Sequence, residues 1–201
     1  MPEHEIGQSA YNFLRRFGVN TQYIVRGGER LGIYFNERGA SQRPSKCIYD
    51  RAGSAIALSS RDEFDWRKIF ENCDWFHITG ITMALGGNLP EICLEACSIA
   101  REMGVKISCD INYRTKLWSK EKAREVMEKI APYVDVCISN EEDAKNVFGI
   151  EADDTDGKGY QIEMSDTISG SLAKVIYIRG DYKVTIIAGG TTTVEKIEAG
   201  A

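Results

Sequence analysis

The sequence lacks the features that mark several protein classes. No stretch approaches the roughly 20 apolar residues that a membrane-spanning helix needs. The first residues contain no basic region followed by an apolar one, as a secretory signal peptide would. The 25 Lys and Arg residues are outnumbered by 30 Asp and Glu, which disfavours nucleic acid as a partner because phosphate binding needs a basic surface. The sequence therefore predicts a cytoplasmic protein with neither membrane nor nucleic acid as a partner.

Four signatures of common enzyme classes are also missing. The sequence contains no G-x-x-x-x-G-K-[ST], no G-x-G-x-x-G, no H-E-x-x-H and no G-x-S-x-G. These motifs cradle phosphates, bind dinucleotides, hold a catalytic zinc ion and present a nucleophilic serine, respectively. Their absence disfavours the P-loop, Rossmann dinucleotide, zincin and hydrolase classes.

The six cysteines do not have the spacing of a metal site or a disulfide framework. No C-x-x-C occurs, and Cys93 and Cys97 fall one helical turn apart on an apolar face. Neither His4 nor His77 has a plausible second ligand nearby in the sequence. We expect buried free thiols in a reducing compartment.

The middle of the chain alternates predicted strands and helices. Strands are predicted over 74–80, 105–110 and 134–139, each followed by a helix, and Ser119 is placed to cap the second helix. Strands separated by single helices pair in parallel with right-handed crossovers. The sequence therefore predicts an α/β fold, a parallel sheet with flanking helices, with ligands beyond the carboxyl ends of its strands.

The flanking regions differ from this pattern. A helix is predicted over 11–17, and two extended segments, 31–38 and 46–51, are joined by a turn near Gly39. Further strands are predicted over 174–178, 183–188 and 191–197, after an acidic loop over 151–159. We expect an α/β core formed by residues 1–28 and 56–201, and a small β-rich lid formed by residues 29–55.

Two groups of polar residues follow predicted strands. The run from Asp110 to Arg114 (DINYR) offers a carboxylate, an amide and a guanidinium to one pocket, and arginine suits bidentate binding of carboxylate or phosphate. A capping aspartate and a surface arginine would give the same spacing. The run from Asn140 to Asp143 (NEED) opens a helix, where acidic residues often only complement the helix dipole. Asn140 and Asp143 could equally hold a hydrated magnesium ion.

Aromatic and basic residues lie on the predicted lid. Tyr34 on one segment, with Tyr49 and Arg51 on the other, could cover a polar ligand, pack against a partner subunit, or do both. His77 lies near the end of the first central strand. We expect it to be a core residue with its hydrogen bonds satisfied rather than a catalytic base.

Four sequence runs together resemble the ribokinase-like (PfkB) carbohydrate kinases and, among them, the 2-keto-3-deoxygluconate kinases. They occur in order as 32–55 (GIYFNERGASQRPSKCIYDRAGSA), 74–85 (DWFHITGITMAL), 110–118 (DINYRTKLW) and 135–149 (DVCISNEEDAKNVFG). The resemblance covers residues 3–149 and implies a parallel α/β domain with a β-rich lid that often builds a dimer. It implies transfer of the ATP γ-phosphoryl group to a hydroxyl of a small sugar acid.

The resemblance also implies roles for individual residues. Tyr34, Tyr49 and Arg51 would contact the substrate from the lid. Ile81 would line the pocket, and Arg114 would bind the sugar acid. Asn140 and Asp143 match the family's N-x-x-E motif, which is linked to phosphate and, through water, to magnesium, although Asp143 is shorter than the usual glutamate. The implied co-substrate and metal are ATP and Mg²⁺, and the implied assembly is a homo-oligomer formed through the lid.

The sequence departs from the family pattern in two places. A Gly-Gly-rich sugar-binding segment would be expected before residue 1, and the late G-A-G-D or G-G-G-D motif, whose aspartate is the family's catalytic base, does not occur. We therefore expect the chain alone to be weakly active or inactive unless another chain completes it. One alternative is a non-catalytic sugar-acid-binding or assembly module. Another is a kinase for fructose, ribose or a nucleoside. Tyr49, Arg51 and Arg114 disfavour it, because a neutral sugar does not need two arginines.

Overall fold

The computed structural model describes residues 1–149 and the backbone of three later strands, 174–179, 182–187 and 191–196. The chain forms two compact units. The first comprises Met1–Asp65 with Leu85–Leu89, and the second comprises Trp66–Ala84 with the chain from Pro90 onward. The predicted boundaries of core and lid stay a prediction.

The first unit contains helix α1 (Glu5–Arg16) and a two-stranded hairpin. Helix α1 begins six residues before the predicted position 11 and ends at Arg16, two residues before Gly18, whose φ of 76° is left-handed. An acidic residue in its first turn and Arg15 and Arg16 in its last turn complement the helix dipole, a signal that apolar spacing alone does not capture. Gly7 lies so close to Pro2 that a side chain there would overlap the carbonyl oxygen.

The hairpin pairs β1 (Ile33–Glu37) with β2 (Lys46–Asp50) in antiparallel register. This confirms the two extended segments. Arg30 holds the open end of the hairpin: its guanidinium donates to the carbonyl oxygens of Asp50 and Ala52 and pairs with the Asp50 carboxylate at 2.7 Å. A two-stranded hairpin is marginal by itself, so such ties help to order it.

The second unit is built on a sheet with the strand order β3-β4-β5-β6-β7-β8. The pairs from β3 to β6 are parallel, which confirms the predicted fold class, and β7 and β8 add in antiparallel fashion. The strands are β3 (Trp75–Thr79), β4 (Lys106–Asp110), β5 (Val136–Ile138), β6 (Lys174–Arg179), β7 (Tyr182–Ile187) and β8 (Thr191–Lys196). The helices are α2 (Trp66–Phe70), α3 (Gly80–Ala84), α4 (Leu89–Glu102), α5 (Lys120–Ile130) and α6 (Glu141–Phe148).

The core of this unit lies between the sheet and its helices. Ile107 on β4, Ala96 on α4 and Ala123 on α5 are fully buried, and the alanines permit close packing of helix against sheet. Helix α5 begins at the predicted cap, where the Ser119 hydroxyl accepts a hydrogen bond from the backbone N–H of Lys122 at 3.2 Å. The five-residue helices α2 and α3 were not predicted because so short a segment shows no helical periodicity.

All six cysteines are free. The predicted burial is confirmed for Cys93, Cys97, Cys109 and Cys137 and is wrong for Cys47 and Cys73, which are half-buried. His77 departs from the prediction: it is exposed, and its Nδ1 lies 2.8 Å from Ser108 Oγ. It lies on β3, which is an edge strand of the sheet as described, so its side chain is not enclosed. No helix in the described part of the chain is long and apolar enough to span a bilayer.

Candidate functional site: three strand exits and a hairpin

Three strand exits lie side by side at one edge of the second unit. Thr79 at the end of β3 is paired with Asp110 at the end of β4, and Asp110 is paired with Ile138 at the end of β5. Because the three strands are parallel, the segments that follow them leave from the same edge. The β4 exit occupies the middle position.

The residues after β4 are tied to both neighbouring exits. On one side, the backbone N–H of Ile111 donates to the Ile138 carbonyl oxygen at 2.9 Å. On the other side, Asn112, in a left-handed conformation with φ of 43°, directs its Nδ2 to Thr79 Oγ1 at 3.4 Å. A Cβ atom at Gly80 would lie only 2.1 Å from the Ile111 carbonyl oxygen, so this approach requires glycine.

Arg114 follows an anchored residue. The Tyr113 side chain is buried, with 6% of its surface exposed, and its hydroxyl donates to the Trp118 carbonyl oxygen at 3.4 Å. Arg114 itself is exposed, and its Nη1 donates to the Tyr113 carbonyl oxygen at 2.9 Å. The guanidinium is thus accessible to an anion yet fixed to a rigid backbone.

The predicted N-x-x-D motif opens helix α6. Asn140 is the N-cap, and its Oδ1 accepts a hydrogen bond from the Asp143 backbone N–H at 2.7 Å. Asp143 is buried, with 6% exposed, and its Oδ2 accepts a hydrogen bond from the Tyr113 backbone N–H at 3.1 Å. A side-chain carboxylate of one motif therefore holds the backbone of the other.

Burial shifts the pKa of Asp143. Removal from solvent raises the pKa of its carboxyl group above the usual value, and the negative charge of Asp110 acts in the same direction. The Tyr113 N–H and the Arg114 guanidinium oppose this increase of the pKa without cancelling it.

In the first unit, the hairpin brings its three predicted residues together. Tyr34 and Tyr49 are directly paired across the strands, with ring centroids 6.3 Å apart. The Arg51 guanidinium lies 4.6 Å from the centroid of the Tyr49 ring, within the range of a cation–π interaction. Tyr34 and Tyr49 expose 59% and 39% of their surfaces.

The predicted site residues thus form two groups. Ile81, Arg114, Asn140 and Asp143 lie on the adjacent strand exits of the second unit, and Ile81 is placed by α3, where its N–H lies 3.4 Å from Thr79 Oγ1. Tyr34, Tyr49 and Arg51 share the hairpin of the first unit. Thr79 and Tyr113 also belong to this site and were not predicted individually, although a threonine before the strand-end glycine and a residue adjoining Arg114 are signals that could have found them.

The strand exits suit a hydrated magnesium ion better than a caged one. Among the described residues no cluster of three or more His, Cys, Asp and Glu side chains could enclose a metal ion. Asp110 and Asp143 supply carboxylate oxygens at this edge, and magnesium in phosphoryl-transfer sites typically uses one or two carboxylates and keeps several waters. The donor set therefore fits Mg²⁺ held largely through water.

Comparison with known proteins identifies the family. The sequence pattern of the pfkB family carbohydrate kinases matches residues 2–181. The chain belongs to this family. It is 35% identical over 153 residues to a 2-dehydro-3-deoxygalactonokinase of Haloferax volcanii, a match that covers 76% of this chain and 48% of that protein.

Solved structures of family members share the fold. The chain is similar to the crystal structure of 2-dehydro-3-deoxygluconokinase from Thermotoga maritima, with 42% sequence identity and a TM-score of 0.83. The match covers 98% of this chain and 65% of that one. A PfkB family carbohydrate kinase from Listeria grayi is 27% identical with a TM-score of 0.79, covering 96% of this chain and 62% of that one. The chain spans about half the length of the Haloferax relative.

Proposed function

We propose that the protein acts as a sugar kinase of the 2-keto-3-deoxygluconate kinase type, with ATP as the phosphoryl donor. The observation that carries the proposal is the exposed Arg114 guanidinium, fixed beside the exits of three parallel strands. Arginine is well suited to a sugar-acid carboxylate or a phosphoryl group because its planar fork binds either in bidentate fashion. Similarity to the Haloferax and Thermotoga kinases, whose names describe 2-dehydro-3-deoxy sugar acids, supports this substrate class.

The other predicted residues receive roles in the same proposal. Ile81 offers an apolar wall, and Tyr34, Tyr49 and Arg51 bind the sugar acid through hydroxyl groups and positive charge. Asn140 and Asp143 act on the phosphate side, Asp143 through water molecules of Mg²⁺. Support comes from the exposure of both tyrosines and from the carboxylate chemistry of the strand exits.

The proposed reaction is an in-line phosphoryl transfer. A hydroxyl oxygen of the sugar acid forms a bond to the γ-phosphorus of ATP, the bond from that phosphorus to the β–γ bridging oxygen breaks, and ADP leaves. The hydroxyl proton must pass to a base.

Calorimetric titration tests the proposal. We expect 2-keto-3-deoxygluconate to bind the chain and Arg114→Ala to weaken that binding by about ten-fold or more, because a charge-assisted hydrogen bond contributes about 1.5–3 kcal/mol. Arg101→Ala is the matched control, since Arg101 is another exposed arginine of the second unit but pairs with Asp135 at 3.5 Å. Equal affinity of the wild type and Arg114→Ala would show that the role given to Arg114 is wrong.

A non-catalytic sugar-acid-binding or assembly module is the second candidate, and the exposed apolar residues of the hairpin favour its assembly role. The same calorimeter distinguishes the two functions. A kinase binds magnesium-ATP as well as the sugar acid, whereas the module binds the sugar acid alone. Binding of ribose or fructose with the affinity of the sugar acid would instead indicate a neutral-sugar kinase.

We also propose that the protein is cytoplasmic and forms homo-oligomers through the hairpin. Assembly through the hairpin is supported by three exposed apolar residues, because Ile33, Phe35 and Ile48 expose 50%, 59% and 53% of their surfaces. The register places these three residues on one face of the two strands, opposite Tyr34 and Tyr49. One face could therefore contact a second copy while the other contacts substrate.

A further inference from the structure

We infer that Asp143 is a positioning residue for Arg114. This role is additional to the metal-linked role proposed above, because the Asp143 side chain is buried and its Oδ2 accepts a hydrogen bond from the backbone of the segment that carries the arginine. The inference deepens the proposed function and rests on the anion-binding role that it gives to Arg114.

The backbone around Arg114 is held at several points. Ile111 is tied to the β5 exit and Asn112 to the β3 exit, as described above. Beyond Asn112, the Tyr113 N–H is bound by Asp143 Oδ2 at 3.1 Å. The Tyr113 carbonyl oxygen, in turn, accepts from Arg114 Nη1 at 2.9 Å. Asp143 therefore holds the N–H of Tyr113, and the carbonyl oxygen of the same residue orients the Arg114 guanidinium.

Asp143 is itself fixed by the helix that carries it. Its backbone N–H donates to the Asn140 side chain at 2.7 Å, so the cap of α6 and the carboxylate form one rigid unit. A buried carboxylate that accepts a backbone N–H is costly to remove, because the N–H loses its partner away from water. Without this bond the Tyr113–Arg114 segment would gain freedom, and the guanidinium would have to be ordered again whenever an anion binds.

The residue type offers a direct way to separate positioning from metal binding. An asparagine at 143 would keep an oxygen acceptor for the Tyr113 N–H and lose the negative charge that would attract a hydrated magnesium ion. An alanine would lose both. Positioning therefore predicts that Asp143→Asn retains what Asp143→Ala loses.

The experiment measures binding of 2-keto-3-deoxygluconate by calorimetry without magnesium or ATP. We expect Asp143→Ala to weaken binding several-fold or more, Asp143→Asn to bind close to the wild type, and Asp143→Ala combined with Arg114→Ala to bind no more weakly than Arg114→Ala alone. Such non-additivity is the mark of residues that act through each other. Amide hydrogen exchange gives a second readout: the Tyr113 N–H should exchange faster in Asp143→Ala and not in Asp143→Asn.

Asp135 provides the matched control. Its Oδ2 also accepts a backbone N–H, from Ile107 at 2.9 Å, near the start of β4 and away from Arg114. Asp135→Ala should lower the free energy of unfolding and leave sugar-acid affinity unchanged.

Several outcomes would overturn the inference. If Asp143→Asn binds as weakly as Asp143→Ala, the charge matters rather than the acceptor. If the two alanine substitutions weaken binding additively, the residues act independently. If Arg114→Ala weakens binding and Asp143→Ala does not, the positioning role fails while the proposed function stands. If Arg114→Ala has no effect, the proposed role of Arg114 is wrong and the positioning role falls with it.

Discussion

At the scale of single residues, the strand exits depend on one position where no side chain fits. That position is Gly80, which permits α3 to start against the Ile111 carbonyl oxygen. The same contact lies beside Asn112, whose side chain is directed to Thr79. A change at Gly80 would therefore reach the segment that carries Arg114.

Substitution Gly80→Ala tests this close approach. A Cβ atom 2.1 Å from a backbone oxygen forces the backbone to move, and overpacking of this kind typically costs about 1–3 kcal/mol of unfolding free energy. Thermal denaturation should show a lower Tm. Gly32→Ala is the control, because a Cβ atom there would lie an ordinary 3.5 Å from its nearest neighbour outside the adjoining residues, the Arg51 Cγ atom. An unchanged Tm for Gly80→Ala would contradict the packing described.

Substitution Asp143→Asn tests the effect of burial on charge. Burial raises the pKa of the Asp143 carboxyl group above 3.8, so the folded chain binds this proton more tightly than the unfolded chain. The contribution of Asp143 to stability is therefore lost as pH rises from 3.8 through the raised pKa. Relative to the wild type, Asp143→Asn should gain unfolding free energy between pH 4 and pH 7, as followed by urea denaturation at several pH values. A relative loss over that interval would mean that the pKa is lowered instead.

At the scale of elements, capping and pairing decide which segments persist. Helix α5 begins at the Ser119 cap and presents Val126, Met127 and Ile130 to the core. Among the described strands, the two strands of the hairpin pair only with each other, and their apolar side chains remain exposed. These two elements therefore differ in what their stability depends on.

Substitution Ser119→Ala should lower the free energy of unfolding by about 1 kcal/mol, because the Lys122 N–H loses its acceptor at the start of α5. Urea denaturation measures the change. Ser119→Asp keeps an acceptor and adds a charge that favours the helix start, so it should restore most of the stability. Equal loss in both variants would argue against the cap.

Substitution Phe35→Glu tests the proposed oligomer. A charge on the exposed apolar face of the hairpin should weaken self-association, seen by sedimentation velocity as a shift to the monomer at the same concentration. Leu58→Glu is the control, since Leu58 is 70% exposed outside the hairpin. Unchanged sedimentation of Phe35→Glu, or a wild type that is already monomeric, would disprove assembly through this face.

At the scale of the whole molecule, the reactivity of the cysteine thiols depends on whether the chain is folded. Burial raises the pKa of the Cys93, Cys97 and Cys137 thiols to about 12. At pH 8 such a thiol is ionised in only about one molecule in ten thousand, and the thiolate is the reactive form. Burial also raises the pKa of Cys109.

An aromatic disulfide reagent at pH 8 should therefore label only the two half-buried thiols, Cys47 and Cys73, in the folded chain. All six should react after unfolding in guanidinium chloride. Mass spectrometry of the labelled peptides identifies the sites. Rapid labelling of Cys109 or Cys137 without denaturant would show that the sheet core is open.

Much of the second unit follows from local sequence. Three parallel strands and the Ser119 cap were predictable because periodicity and capping signals act within a few residues. The early start of α1 was not, because charges that complement the helix dipole mark it rather than apolar spacing, and α2 and α3 were not, because five residues show no helical periodicity. The exposure of His77 depended on its position at a sheet edge.

The sequence by itself determined the family, the parallel strand exits and the residues gathered there, since these depend on motifs and on strand–helix alternation. Only the tertiary structure decided how those residues act on one another. Asp143 and Tyr113 lie 30 positions apart in the chain, and their 3.1 Å hydrogen bond exists because β4 and β5 are adjacent. No local pattern encodes that contact, because the strand pairing that creates it is a property of the folded sheet.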